Sequence, residues 1–278
     1  MPKGGRPRGG AGPRAFTPSR RPGRDHAGMK TLLALLVLSL LVAPRAHADE
    51  VPAFDRPGIG FSTRTLGKGV FAWEQGLPDA SRDRSAGTTT TTWAAATLLR
   101  AGLSDTLELQ LGADSWGQSR RHGSGGRVRE SGGGDGSVAL KWAPALSGER
   151  LSLALKAGAT LPWGQAPLGG AGHDYDLGVT LAWAMPRDAS LALYADRQWG
   201  EDGSGWLLSP SYGVALREDL GVYVEAGYGT GAQYMRAAGA GVTWMATPRL
   251  QLDVSFLRGL DARTADWQGG VGLSLAFD

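Results

Sequence analysis

Tyr175-Asp176-Leu177-Gly178-Val179-Thr180-Leu181-Ala182-Trp183 alternates without a break. Every odd position is large and apolar, and every even one is small or polar. A period of two means a β-strand with unlike faces, whereas a helix would space its apolar groups three and four apart. The pattern returns in Leu107, Leu109 and Leu111, in Leu151, Leu153 and Leu155, and in Leu250, Leu252, Val254 and Phe256. It closes the chain in Val271, Leu273, Leu275 and Phe277.

Twelve such segments can be marked: 69–77, 88–100, 106–116, 135–143, 150–161, 173–185, 190–199, 206–217, 220–229, 233–246, 249–257 and 266–278. A strand needs about 9–11 residues to cross the hydrocarbon of a bilayer, and most of these are long enough. Connections alternate between short (102–105, 144–149, 186–189, 218–219, 247–248) and longer, often Gly-rich ones such as 117–134 and 162–172. Short turns on one rim and longer loops on the other are the pattern of an outer-membrane barrel, the short turns being periplasmic.

Tryptophan placement is an independent sign. Trp163, Trp199, Trp206 and Trp267 fall at strand ends on the long-loop side, and Trp142, Trp183 and Trp244 at the opposite ends. Two interfacial girdles require that arrangement. Trp116 sits at a strand end as well, but its parity with Glu108 points it inward. A secreted sandwich would also alternate, yet it would bury tryptophans mid-strand and place bulk charge outside. Here the polar parity is rich in Gly, Ala, Ser and Thr with isolated charges, which suits a crowded lumen.

The head of the chain differs from the rest. Residues 1–48 hold nine basic residues and one acid, Asp25, which leaves 20 basic and 25 acidic residues in the remainder. The overall charge of +3 therefore belongs to the head, and a nucleic-acid reading is excluded for the body. Met29-Lys30, the apolar run Leu32–Ala43 and Ala46-His47-Ala48 read as a secretory signal peptide over 29–48, cleaved to leave Asp49. Residues 1–28 read as a disordered leader or an over-extended gene start. Residues 49–68 are expected as a periplasmic segment or lumenal plug, and 69–278 as the barrel.

Chemistry-bearing motifs are sparse. There is no cysteine, and only His122 and His173 follow the signal peptide. No metal site and no cofactor are expected. Gly227-Tyr228-Gly229-Thr230-Gly231 looks like a phosphate loop but leads into no helix. His122-Gly123-Ser124 has a His–Ser spacing that resembles outer-membrane phospholipases and lipid A deacylases. The chain contains no asparagine to complete the phospholipase set, so Glu130 would have to orient the histidine. The Gly-rich stretch around it reads as a solvated loop.

Inward parity collects Glu74, Glu108, Lys141, Lys156, Asp176, Asp196, Glu225 and Asp253, with Asp114, Asp174 and Arg217 also expected inside. Such charges serve either as a salt-bridged filling or as a cation-attracting passage.

Arg56-Pro57-Gly58-Ile59-Gly60, then Ser62, Thr63 and Thr65, and then Gly69 leading into Val70-Phe71-Ala72-Trp73-Glu74, resemble the opening of a known family. These are the bacterial outer-membrane transporter-like proteins called meta-pathway phenol-degradation proteins. Leu99-Arg100-Ala101-Gly102-Leu103-Ser104-Asp105 resembles that family's next turn. The resemblance implies an outer-membrane barrel and carries over no catalytic residue.

The expectation is thus an all-β, transmembrane, antiparallel up-and-down barrel of about twelve strands in a Gram-negative outer membrane. It would be monomeric, surrounded by outer-membrane lipid and inserted by the barrel-assembly machinery. The function expected is passive passage of small, hydrophobic or aromatic molecules. A lipid hydrolase at His122 and Ser124, or a structural barrel with a sealed lumen, stand as alternatives.

Overall fold

The structure is a computed structural model that describes residues 51–146, 150–170, 172–201 and 203–278. The leader and signal-peptide assignments lie outside the described residues. Thirteen strands follow in order: β1 (Phe71–Ser85), β2 (Thr88–Gly102), β3 (Leu107–Gly123), β4 (Gly126–Gly132), β5 (Gly136–Trp142), β6 (Leu151–Leu161), β7 (Asp174–Met185), β8 (Ala189–Gly200), β9 (Gly203–Arg217), β10 (Leu220–Gly231), β11 (Arg236–Thr247), β12 (Leu250–Gly259) and β13 (Trp267–Phe277). All pairings are antiparallel. β1 pairs with both β2 and β13, β2 pairs with β3, and β3 pairs with β5, so the sheet closes on itself through twelve staves.

Closure satisfies the backbone groups of every stave, which is what hydrocarbon demands. The apolar parity faces out: Leu111, Leu140, Leu177, Leu181, Leu193, Val254 and Val271 are all exposed. Phe71 opposes Phe277, so the barrel begins and ends on one rim, the rim of the short turns.

The thirteenth strand corrects the reading of residues 117–134 as a loop. β3 runs on past the barrel to Gly123, turns over Ser124 and Gly125, and returns as β4, with Gly123 opposite Gly126. Six glycines and interleaved charges within 123–134 hide the alternation. β1 and β2 rise beside this hairpin and meet over Ala86 (φ 49°) and Gly87 (φ 75°). Two successive positive φ values define the tight hairpin turn whose twist matches its strands, and glycine takes one of them at no steric cost.

Several bulges change which side chains face in, and two of them overturn an expected orientation. On β3, Ala95 opposes Trp116 while Ala96 opposes Asp114, so Ser115 is an extra residue. One extra residue moves everything beyond it to the opposite face. Trp116 is therefore exposed, which corrects its inward parity. At the other rim Leu216 is extra against β10. Arg217, expected inside, instead lies exposed at the end of β9 and pairs with Asp219 at 2.6 Å.

Candidate functional site

The lumen is filled by the chain itself. Residues 53–66 thread the barrel without joining the sheet, and an extended segment so placed must still satisfy its amide hydrogens. The wall supplies carboxylates for them. Glu74 accepts from the backbone N–H groups of Asp55 (3.0 Å) and Arg56 (2.8 Å). Glu225 accepts from Ile59 N (2.9 Å), and Glu108 accepts from Leu66 N (2.9 Å). An ionised carboxylate is purely an acceptor, which makes it the natural wall residue opposite a run of donors.

Adjacent side chains of the segment reach into two sockets of opposite sign. Asp55 meets Lys141 Nζ at 2.7 Å and Arg100 at 3.7 Å, and also accepts from Gln110 (2.8 Å) and Ser62 N (2.9 Å). Burial disfavours its charge, but Arg100 and Lys141 more than offset that and hold the carboxyl well below the usual carboxylate range. Arg100 in turn holds Glu108 bidentately (2.7 and 2.9 Å) and Glu74 at 2.6 Å, and it donates to Ala53 O. Arg100, Lys141, Glu74 and Glu108 are all sealed from solvent.

Arg56 turns the other way. Its guanidinium takes both oxygens of Asp79 at 2.9 Å and reaches Asp253 at 3.2 Å. Burial works against the charge of Arg56, yet the two carboxylates raise its affinity for the proton. Gly272 makes this socket possible, because a Cβ there would run into the guanidinium.

Phe61 anchors the bend of the segment. It meets Tyr194 edge-on at 5.4 Å, under the ammonium groups of Lys156 (4.8 Å) and Lys141 (5.5 Å). Nearer the short-turn rim, Phe54 and Leu66 pack with Ala72 and Ala276, and Thr63 shares a 2.7 Å hydrogen bond with Ser152.

The segment divides the interior without filling it. Two cavities of about 280 Å³ each lie beside it. One is bordered by Gln110, Ser137, Lys156 and Asp176, the other by Asp79, Thr92, Ser255 and Gln268. A third, of about 200 Å³, is lined by Thr180, Tyr194, Ser209, Ser211, Tyr223 and Thr243. Arg56 and Pro57 border all three.

Of the residues singled out from the sequence, Glu74, Glu108, Lys141, Asp196, Glu225 and Asp253 are buried on the lumenal face. Lys156 and Asp176 line a cavity there. Trp142, Trp163, Trp183, Trp199, Trp206 and Trp244 are exposed. Trp267 is half-buried against Phe256 at 6.4 Å. His122 is on β3 and Ser124 in the hairpin turn, and no hydrogen bond joins them among the described residues. The alternation does not single out Arg100, Asp55, Arg56, Phe61 or Asp79 as lumenal. Arg100 could have been found, since it has the inward parity of its strand; the bulge between Gly76 and Asp79 hid Asp79.

Comparison with known proteins adds the family. No curated protein sequence matches the chain at a significant level. The crystal structure of the COG4313 outer membrane channel from Pseudomonas putida F1 is similar, with a TM-score of 0.59 at 16% identity over 80% of this chain and 99% of that one. A KdgM porin in complex with disordered oligogalacturonate gives 0.49 at 10% identity, over 75% and 99%. At such identities the likeness concerns the barrel fold alone. A family model matches residues 54–277, from the threaded segment through the last strand. The chain belongs to the family described as "Putative MetA-pathway of phenol degradation".

Proposed function

We propose that the protein is a passive outer-membrane channel for small molecules, narrowed by its own residues 53–66. One observation carries this reading: three lumenal cavities, on different sides of the segment, share Arg56 and Pro57 as a common border. A barrel meant only as a wall has no need of polar space on both sides of a partition. The short-turn rim, where β1 begins and β13 ends, faces the periplasm, and the hairpin of β3 and β4 faces outward.

The cargo proposed is small, with an apolar or aromatic body. Support comes from Phe61, Tyr194 and Tyr223, which place aromatic surface along the 200 Å³ cavity among hydroxyl groups. Swelling of liposomes holding the purified protein tests the reading, with phenylalanine and arabinose as solutes. Both should enter, and phenylalanine at least as fast despite its greater size. No swelling with either solute would leave a sealed structural barrel. Turnover of lipid abolished by Ser124→Ala would favour the hydrolase instead.

A further inference from the structure

On the outer surface, arginines line up across the sheet. Arg258 of β12 opposes Trp267 of β13, and Trp267 opposes Arg82 of β1. Arg82 opposes Thr91 of β2, Thr91 opposes Arg120 of β3, and Arg120 opposes Arg129 of β4. Directly opposed residues share a face, so this is one continuous row over six strands. A second row, one pair further out, runs Arg84, Thr89, His122, Arg127.

The face is the lipid-side one. Ser81, Thr92, Leu257 and Gln268, which alternate with the first row, line a lumenal cavity beside Arg56. The row must then point out. Its Trp267 stacks on Phe256, which is exposed on the lipid side, and Arg120 covers the Trp93 ring at 4.9 Å. The arginines thus begin where the aromatic girdle of the long-loop rim ends.

Charges on the four-stranded extension differ by face, the outward one being purely basic and the inward one mixed, with Arg121 among its acids. Its outward positions carry Arg82, Arg84, Arg120, Arg127 and Arg129 and no acid, while Asp79, Asp83, Asp114 and Glu130 fall on the inward parity. Arg82, Arg120, Arg129 and Arg258 have no carboxylate within ion-pair distance among the described residues. Like charges directly opposed across strands are destabilising unless something outside the sheet neutralises them. The group that suits them is a phosphate, which guanidinium binds through paired hydrogen bonds.

We propose that this face is a binding site for phosphorylated lipid head groups of the outer leaflet, with Arg82, Arg120, Arg129 and Arg258 as the phosphate contacts. The inference rests on the outer-membrane orientation given above and adds a lipid partner to it. Aromatic residues below the row sit at the acyl boundary, and the arginines extend from there to head-group height.

The test uses the purified full barrel in phosphatidylcholine nanodiscs, offered diphosphoryl lipid A or its fully dephosphorylated form. Retention is read by native mass spectrometry. The wild type should retain the diphosphoryl lipid and not the dephosphorylated one. Replacing all four arginines by glutamine should weaken retention by about tenfold or more, and replacing them by lysine should restore much of it. Arg217→Gln, on the opposite rim, should change nothing. Heat-modifiable gel mobility confirms that each variant is folded. The proposal is overturned if the folded glutamine variant retains the lipid as well as the wild type, if the dephosphorylated lipid binds equally, or if inorganic phosphate displaces it at equal phosphorus concentration. A channel without lipid retention would overturn the site alone, and retention without conductance would overturn the channel alone.

Discussion

Lys141 Nζ lies 2.7 Å from Oδ1 of Asp55, joining a sealed wall ammonium to a carboxylate of the threaded segment. Neither charge would be tolerated there alone, since burying an unpaired ion costs several kcal/mol. The pair therefore ties the segment to a finished barrel. Arg100, whose Nε is 2.7 Å from Glu108, completes the cluster by placing a second cation beside Asp55.

Asp55→Ala should strand Lys141, whereas Arg100 keeps Glu74 and Glu108, and removing one partner of a buried pair costs about 3–5 kcal/mol. Thermal unfolding in detergent should shift downward accordingly. Protease access to residues 53–66 should rise in the folded barrel. An unchanged melting curve would mean that the segment does not depend on this contact.

The pH dependence of that difference is also fixed. With its carboxyl held below the usual range in the folded protein, Asp55 contributes stability that is fully present above its unfolded value of about 3.9. This contribution is lost as pH falls through the lower folded value. The gap between wild type and Asp55→Asn should therefore be constant from pH 5 to 8, as rough bounds, and narrow only in stronger acid. A gap that closes between those bounds would contradict the charge assigned to Asp55.

Much of the barrel was legible because period-two alternation is enforced on every stave by lipid outside and polar matter inside. Leu177 and Val179 against Asp176 and Gly178 need no partner to be read. Bulges were not legible: the extra residues Ser115 and Leu216 leave no mark in a pattern already broken by small side chains. The lumenal acids were visible as a parity, but their purpose was not. Glu74 and Glu225 act as acceptors for backbone donors of residues 55–59, and such a pairing depends on where an irregular segment lies. Asp55 and Arg56 belong to a stretch without periodicity, so nothing local separated them from ordinary surface charge.

Gly272→Ala should act on the other socket. The new methyl group would displace the Arg56 guanidinium from Asp253, whereas Gly125→Ala, with open space around it, serves as control. Gly272→Ala should raise single-channel conductance, and Gly125→Ala should leave it unchanged. Equal traces from both would mean that Arg56 does not restrict passage.

The two faces of the wall can be weighed against each other on neighbouring strands. Leu193 is exposed at the middle of β8, where an arginine would cost about 2–4 kcal/mol against hydrocarbon. Ser211 of β9 lines the 200 Å³ cavity, where water and Glu225 can meet an added charge. Leu193→Arg should therefore destabilise the barrel in lipid vesicles well beyond Ser211→Arg in urea titrations. Equal losses would reverse the assignment of inside and outside on these strands.

Single-channel recording in planar bilayers tests the central claim most directly, comparing the wild type with the double variant Asp55→Asn, Arg56→Gln. Both sockets are emptied of charge pairing while the staves stay intact. The wild type should show small, steady conductance, and the double variant larger and more variable steps as the segment leaves its place. A closed membrane in both cases, with both proteins folded and inserted, would contradict a channel narrowed by residues 53–66.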